Sequence, residues 1–371
     1  MFDYLIVGAG YSGSVVAERI ASQLNKKVLI VDKRNHIGGN AYDYYNEHGI
    51  LIHKYGPHIF HTNAKHVWDY LSNFTRWRQY FHKVLVVIDG KKVPLPFNIN
   101  SIYKCFPPNL AARLEDKLIE RFGYNKKVPI LNLMNTTDKD LKFLSDFIYS
   151  NVFLNYNIKQ WGLKPEELDK SVTARVPIFI GRDDRYFNDK YQGIPAHGYT
   201  ALFKNILNHK NIFVLLNTDY KEVLDCIKFN KLIYTGPIDY FFDYQFGKLP
   251  YRSLRFDFVT VNNEYFQEVA QINYPNDYDY TRITEFKHLT GQKTNMTTIA
   301  YEYPQKYFPD KNDPYYPILN EKNNDLFKKY YKETKKLKEV IFLGRLADYK
   351  YYNMDQVVAR ALTVFEKKII K

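Results

Sequence analysis

The 371-residue chain is 45% hydrophobic and carries a formal net charge of +13. Its length exceeds one ordinary core, so two or three domains are expected, and its apolar content excludes a disordered chain. The positive balance points to an anionic partner, either nucleic acid, a membrane surface or a phosphorylated small molecule, and charge alone does not choose among them. Two cysteines, Cys105 and Cys226, stand far apart with no CxxC pair, and no leader precedes the first apolar run, so a reduced cytoplasm is the expected compartment. The longest purely apolar runs, such as Val84 to Ile88, fall well short of the ~20 residues that span a bilayer, and no membrane insertion is expected.

The chain opens on a short apolar strand that runs into Gly8-Ala9-Gly10-Tyr11-Ser12-Gly13. A helix follows with Val15, Val16, Ile20, Ala21 and Leu24 on one face, then a second apolar run that ends at Asp32. This is a dinucleotide-binding pattern in its full context. Gly8 makes the tight turn, Gly10 lets the backbone approach a pyrophosphate, Gly13 lets helix pack on strand, and Asp32 is placed to accept from the adenosine ribose hydroxyls. Lys33-Arg34-Asn35-His36-Ile37-Gly38-Gly39-Asn40 comes next, a basic residue near a Gly-Gly pair that supplies a second phosphate contact. That element favours FAD over a nicotinamide cofactor. A Gly-rich surface turn is the bland alternative.

Further along, Val84 to Leu95 reads as a β-hairpin turning at Asp89-Gly90. From about Leu110 to Trp161 the pattern becomes helical, with Thr137-Asp138 as a start signal before one long apolar-periodic run. Residues 212–286 are mostly strand-like, Val340 to Leu343 returns as a buried strand, and a last helix runs from Asn353 towards Ile369. Gly344-Arg345, an aromatic loop and then a helix N-terminus form an end that can hold negative charge on a reduced flavin. The plain alternative is an ordinary terminal helix on a sheet. The expected architecture is therefore mixed α/β: a Rossmann-type FAD-binding domain (1–80, 190–245 and 315–371), a helical insertion (101–165), and an antiparallel β-sheet domain (81–100, 166–189 and 246–314).

Tyr55-Gly56-Pro57-His58-Ile59-Phe60-His61-Thr62 joins Lys159-Gln160-Trp161-Gly162, Tyr186-Phe187, Tyr191-Gln192-Gly193-Ile194-Pro195, Tyr280-Thr281-Arg282-Ile283-Thr284-Glu285 and Pro314-Tyr315-Tyr316-Pro317. In order and spacing, over nearly the whole chain, these resemble the UDP-galactopyranose mutase family of the bacterial type. The resemblance implies a flavoenzyme that interconverts UDP-galactopyranose and UDP-galactofuranose for cell-surface polysaccharide. N5 of reduced FAD attacks the anomeric carbon, UDP leaves, and the ring recloses through the other hydroxyl. The resemblance also implies a homodimer and a helical insertion that binds uridine.

By the same match, Arg175, in Thr173-Ala174-Arg175-Val176-Pro177, and Arg282 hold the diphosphate and stabilise the departing UDP, and His58 lies beside the flavin. Trp161, which leaves the helical pattern before Gly162, stacks on uracil with Tyr156 and Phe153 nearby. Tyr186, Asn273, Tyr315 and Tyr351 complete the substrate set. The cofactor set is Gly8, Gly10, Tyr11, Ser12, Gly13, Asp32, Lys33, Gly39, Asn40, His58, Ile59, Arg345, Asn353 and Met354. No metal is expected: His58 and His61 lack a helical ligand spacing, and no cysteine or carboxylate lies close to them in the sequence.

Three positions depart from the family pattern. Asn353 stands where an acid is usual, so only a helix-capping role transfers. Phe179 replaces an Arg, which removes an accessory phosphate contact, and Asp279 replaces a Pro beside the anion site. Two rival readings stay open: the same chemistry on UDP-N-acetylgalactosamine, and a flavin oxidase or monooxygenase. Nucleic-acid binding by the basic, aromatic run Phe74 to Phe81 has no RNP, KH or zinc pattern to support it.

Overall fold

In the computed structural model, which describes residues 1–169, 176–309 and 311–370, the opening strand Phe2–Val7 lies at the centre of a five-stranded sheet. The order is Ile212–Leu215, Val28–Val31, Phe2–Val7, Phe229–Tyr234, Val340–Phe342, and every joint is parallel. Alternation along the central strand sends Tyr4 and Ile6 to one face and Leu5 to the other. Tyr4 and Ile6 pack in a core with Val15, Val16 and Ile20 of helix Tyr11–Leu24 and with Val358 and Ala361 of the last helix, Met354–Val364. Leu5 joins Leu29, Val31, Tyr220, Val223 and Tyr234 on the opposite face. Both faces of a parallel sheet are thus covered, as its unbroken apolar strands require.

The hairpin forms as expected. Val84–Ile88 pairs with Lys91–Leu95, and Asp89 and Gly90 have φ of 48° and 74°, the primed turn that matches strand twist. It is the edge of a seven-stranded sheet that continues through Gln271–Asn273, Arg282–Glu285, Thr297–Lys306, Tyr251–Val261 and Tyr316–Pro317. The antiparallel expectation holds at every joint but one. Gln271–Asn273 runs parallel to Val84–Ile88, because a long excursion rather than a tight turn connects them, and a long connection leaves direction free. A smaller antiparallel sheet of Phe60–Thr62, Tyr191–Pro195 and Trp77–Gln79 carries two of the sequence motifs.

The helical insertion contains Ile99–Cys105, Pro108–Phe122, Ile130–Met134, Lys139–Ile148 and Asn155–Trp161. Asp138 caps as expected, its carboxylate accepting the Asp140 and Leu141 N–H groups at 2.9 and 3.0 Å. The long run is not one regular helix. Tyr149–Leu154 is π-helical, and its wider turns re-phase the chain after it. Trp161 consequently does not leave the helix: it is its last residue, before Gly162 at φ 70°.

Candidate active site

The carboxyl ends of Phe2–Val7 and Val28–Val31 open into a cavity of about 580 Å³ lined by Gly8, Gly10, Tyr11, Ser12, Asp32, Gly39 and Asn40. Gly8 adopts φ +104°, and a Cβ there would lie 2.1 Å from Thr235 Oγ1. A Cβ on Gly39 would lie 3.0 Å from Gly10 Cα, so the two glycine turns meet backbone to backbone. Gly13 lies against the strand, where a Cβ would meet the Gly8 carbonyl at 1.9 Å. Gly10 caps helix Tyr11–Leu24 without any side-chain acceptor, and no acidic residue stands in the first turn. The N-terminal N–H groups are therefore available to an anion. This cradle fits the pyrophosphate of FAD.

Asp32 stands at the strand end, its Oδ2 accepting Ala9 N–H at 2.8 Å and its Oδ1 accepting Arg34 N–H at 2.9 Å. Lys33, expected as the phosphate contact, lines this cavity, its ammonium paired with Asp219 at 2.6 Å and 4.1 Å over the Tyr240 ring. Arg34 lines it too, bonded to Asn40 Oδ1 at 2.9 Å and Asp313 Oδ1 at 2.8 Å and packed on Tyr55. Both basic residues of the pair reach the cavity, and the sequence does not say which carboxylate each one pairs with.

A second cleft of about 1280 Å³ meets the first at Asn40, His58, Tyr315, Arg345 and Met354. His58 is fixed at this seam from two directions. Its backbone N–H donates to His53 Nδ1 at 3.0 Å, and its ring Nδ1 lies 2.8 Å from the Gly56 carbonyl. Burial pushes both His58 and His53 down to about 3, so both are neutral at pH 7. A carbonyl only accepts, so His58 carries its proton on Nδ1 and keeps Nε2 as an acceptor. His61 is engaged elsewhere, bonded to Asp189 at 2.7 Å and stacked on Phe187. Ile59 is buried and lines the cleft. Arg345 bridges the carbonyls of Tyr315 and Tyr352 at 3.3 and 2.5 Å. Asn353 caps the last helix, its N–H donating to Gln356 Oε1 at 2.9 Å, and Met354 follows at the seam.

Arg282 lines the cleft and interacts electrostatically with Tyr156, Tyr316 and His58. Its Nε donates to Glu302 Oε2 at 2.7 Å, and the Glu302 side chain is 1% exposed. Burial opposes the guanidinium charge, but Glu302 together with Tyr156 and Tyr316 outweighs it and holds the Arg282 pKa well above its ordinary value. The result is a fixed, permanently charged cation with its planar fork in the cleft. Trp161 closes one end, its ring 5.6 Å from Tyr316 and 5.5 Å from Tyr351, which are themselves 4.9 Å apart. Phe153, Tyr156 and Tyr186 line the same cleft, and Asn273 stands in register beside Arg282.

The arrangement brings together all of the expected substrate residues except Arg175, which lies outside the described residues. Tyr315 lines both cavities and packs on Tyr55, which lines the second cleft, while its neighbour Tyr316 is the ring beside Trp161 and Arg282. Glu302, Arg34, His53 and Tyr316 were not singled out by the motifs. For Tyr316 the signal was present in Pro314-Tyr315-Tyr316-Pro317, since strand alternation sends one ring to each side. Of the departures, Phe179 is buried in strand Ile178–Ile180 and does not line the cleft. The charge of Asp279 is answered by Lys159, whose ammonium is bonded to the carbonyls of Tyr274 and Tyr278.

The family model for UDP-galactopyranose mutase matches residues 151–351, and that of the NAD(P)-binding Rossmann-like domain matches residues 6–74. The chain is 38% identical over 374 residues to the UDP-galactopyranose mutase of Mycoplasma genitalium, covering 96% of this chain and 92% of the relative. It is 35% identical over 369 residues to the dTDP-fucopyranose mutase of Escherichia coli, covering 98% and 97%. The fold is similar to a crystal structure of reduced UDP-galactopyranose mutase, with TM-score 0.76 at 16% identity over 100% of this chain and 96% of that one. Matches of this length, on a chain whose glycine cradle and cation-centred cleft meet at His58, make this protein an FAD-dependent isomerase that belongs to the UDP-galactopyranose mutase family.

Proposed function

We propose that the enzyme interconverts UDP-galactopyranose and UDP-galactofuranose. The observation that carries this reading is the position of Arg282, locked to buried Glu302 and within electrostatic reach of both Tyr316, the ring beside Trp161, and His58 at the FAD seam. A sugar nucleotide spanning the cleft has its base against Trp161, its diphosphate on Arg282, and its hexose toward His58. Stacking on Trp161 anchors the nucleotide. Arg282 acts on the charge that develops as UDP departs, and its prior fixation by Glu302 removes reorganisation from that step. Neutral His58 offers Nε2 as an acceptor at the seam. Reduced FAD supplies the electron pair for bonding to the anomeric carbon. Family resemblance extends this reading to a cytoplasmic homodimer that feeds cell-surface polysaccharide, with sizing chromatography the check on the dimer.

The test is to incubate dithionite-reduced protein separately with UDP-galactose, UDP-N-acetylgalactosamine and dTDP-fucose, then resolve the products by chromatography. The expected result is a furanose product from UDP-galactose with the flavin redox state unchanged. Conversion of only one of the other two sugars reassigns the substrate. Substrate-dependent bleaching of oxidised flavin, or no isomerisation by reduced holoenzyme, overturns the reading.

A further inference from the structure

The cleft lining includes the buried polar side chains His82 and Gln271, which the reading above does not use. Resting on that reading, we propose that Tyr80, His82 and Gln271 form a one-way hydrogen-bond relay that holds the Asn273 amide with its NH₂ group facing the cleft beside Arg282. There it donates to an oxygen of the bound sugar nucleotide.

The argument starts at the Asn273 end. Gln271 and Asn273 lie two residues apart on one strand, so their side chains share a face, and both are 5% exposed. Gln271 Nε2 donates to Asn273 Oδ1 at 2.9 Å. With its NH₂ turned that way, Gln271 presents its carbonyl oxygen to its other neighbour. That neighbour is the His82 ring, which interacts with the Gln271 side chain and is 2% exposed. Burial pushes His82 down to about 3, so its imidazole is neutral and has a single N–H. That N–H serves the Gln271 oxygen, which leaves Nδ1 as an acceptor for the Tyr80 hydroxyl 3.2 Å away. Each member then has one direction open to it, and the chain runs Tyr80 to His82 to Gln271 to Asn273. The last amide has used its oxygen and keeps its two donor hydrogens. Asn273 is the register partner of Arg282, where a donor complements an anionic diphosphate or a sugar oxygen and an acceptor would oppose it. Asn273 is the binding residue, and Tyr80, His82 and Gln271 are positioning residues.

Gln271→Glu tests the relay with almost no change in shape. A carboxylate accepts from His82 but has nothing to donate, so Asn273 must turn its NH₂ inward and offer its oxygen to the ligand. UDP-galactose and UDP dissociation constants are measured by calorimetry on the FAD-loaded wild type, Gln271→Glu, Asn273→Ala and the double variant, with flavin absorbance and Tm as checks on folding. Expected are a loss of UDP-galactose affinity of about 10-fold or more in each single variant, and a double variant no weaker than Asn273→Ala alone. Loss for UDP as well assigns the contact to the diphosphate, and loss for UDP-galactose only assigns it to the hexose; either supports the relay. Wild-type affinity in Gln271→Glu, or losses that add in the double variant, overturns it while leaving the isomerase reading intact. A wild-type holoenzyme that binds neither ligand overturns both.

Discussion

Replacing Arg282 by Ala separates two roles of one side chain. Its carboxylate partner, Glu302, is 1% exposed, whereas the Arg282 side chain is 18% exposed, so the truncation leaves an uncompensated negative charge in the core. Breaking a buried pair from one side costs about 3–5 kcal/mol. Unfolding entropy of about 2.1 cal/mol/K per residue gives roughly 0.8 kcal/mol/K for a chain of this length, so Tm falls by about 4–6 °C. Turnover falls by another route: one fixed donor to developing charge is worth about 3 kcal/mol, or 100-fold or more in kcat. Adding Glu302→Gln to Arg282→Ala removes the stranded charge. The double variant is therefore expected to recover most of the lost Tm and none of the lost turnover. The assay is differential scanning calorimetry on FAD-saturated protein, with reduced-enzyme kinetics on UDP-galactose in parallel. A double variant that regains turnover refutes the electrostatic role of Arg282, and a single variant with unchanged Tm refutes the coupling to Glu302.

Trp161→Ala removes the ring that closes the aromatic end of the cleft and should weaken UDP binding by about 10-fold, the scale of one base stack; an unchanged UDP dissociation constant contradicts the stacking role. Gly8→Ala places a Cβ 2.1 Å from Thr235 Oγ1 at φ +104°, and the purified variant should lack the flavin absorbance of the wild type; stoichiometric yellow protein refutes the cradle. His53, His58 and His82 are each held down to about 3 by burial. Between about pH 6.5 and 3 the unfolded chain binds protons that the folded chain excludes. Stability is then complete above pH 6.5 and declines as pH falls, by up to about 1.4 kcal/mol per histidine per pH unit. Asp239, raised by burial to about 6, opposes this trend only below pH 6, because there it is the folded state that holds the extra proton. A Tm that stays flat from pH 7 to 5.5 refutes the buried neutral state of these histidines.

The sequence alone determined the parts that depend on local pattern. The glycine turn between apolar strand and amphipathic helix, the primed hairpin at Asp89-Gly90, and the caps at Asp138 and Asn353 all rest on neighbours a few residues apart, and each formed where expected. The motifs also named Gly8, Asp32, His58, Trp161 and Arg282, which line the two cavities. Tertiary structure decided which way side chains point. Lys33 faces Asp219 while Arg34 faces Asn40 and Asp313, and Tyr316 rather than Tyr315 meets Trp161. It also decided that Gln271–Asn273 runs parallel to Val84–Ile88, that Glu302 backs Arg282 from a neighbouring strand, and that His53 holds the His58 backbone. Spacing along the chain sets periodicity and turn chemistry. The partner of a buried charge is chosen by strand order and register, which join residues with no proximity in sequence.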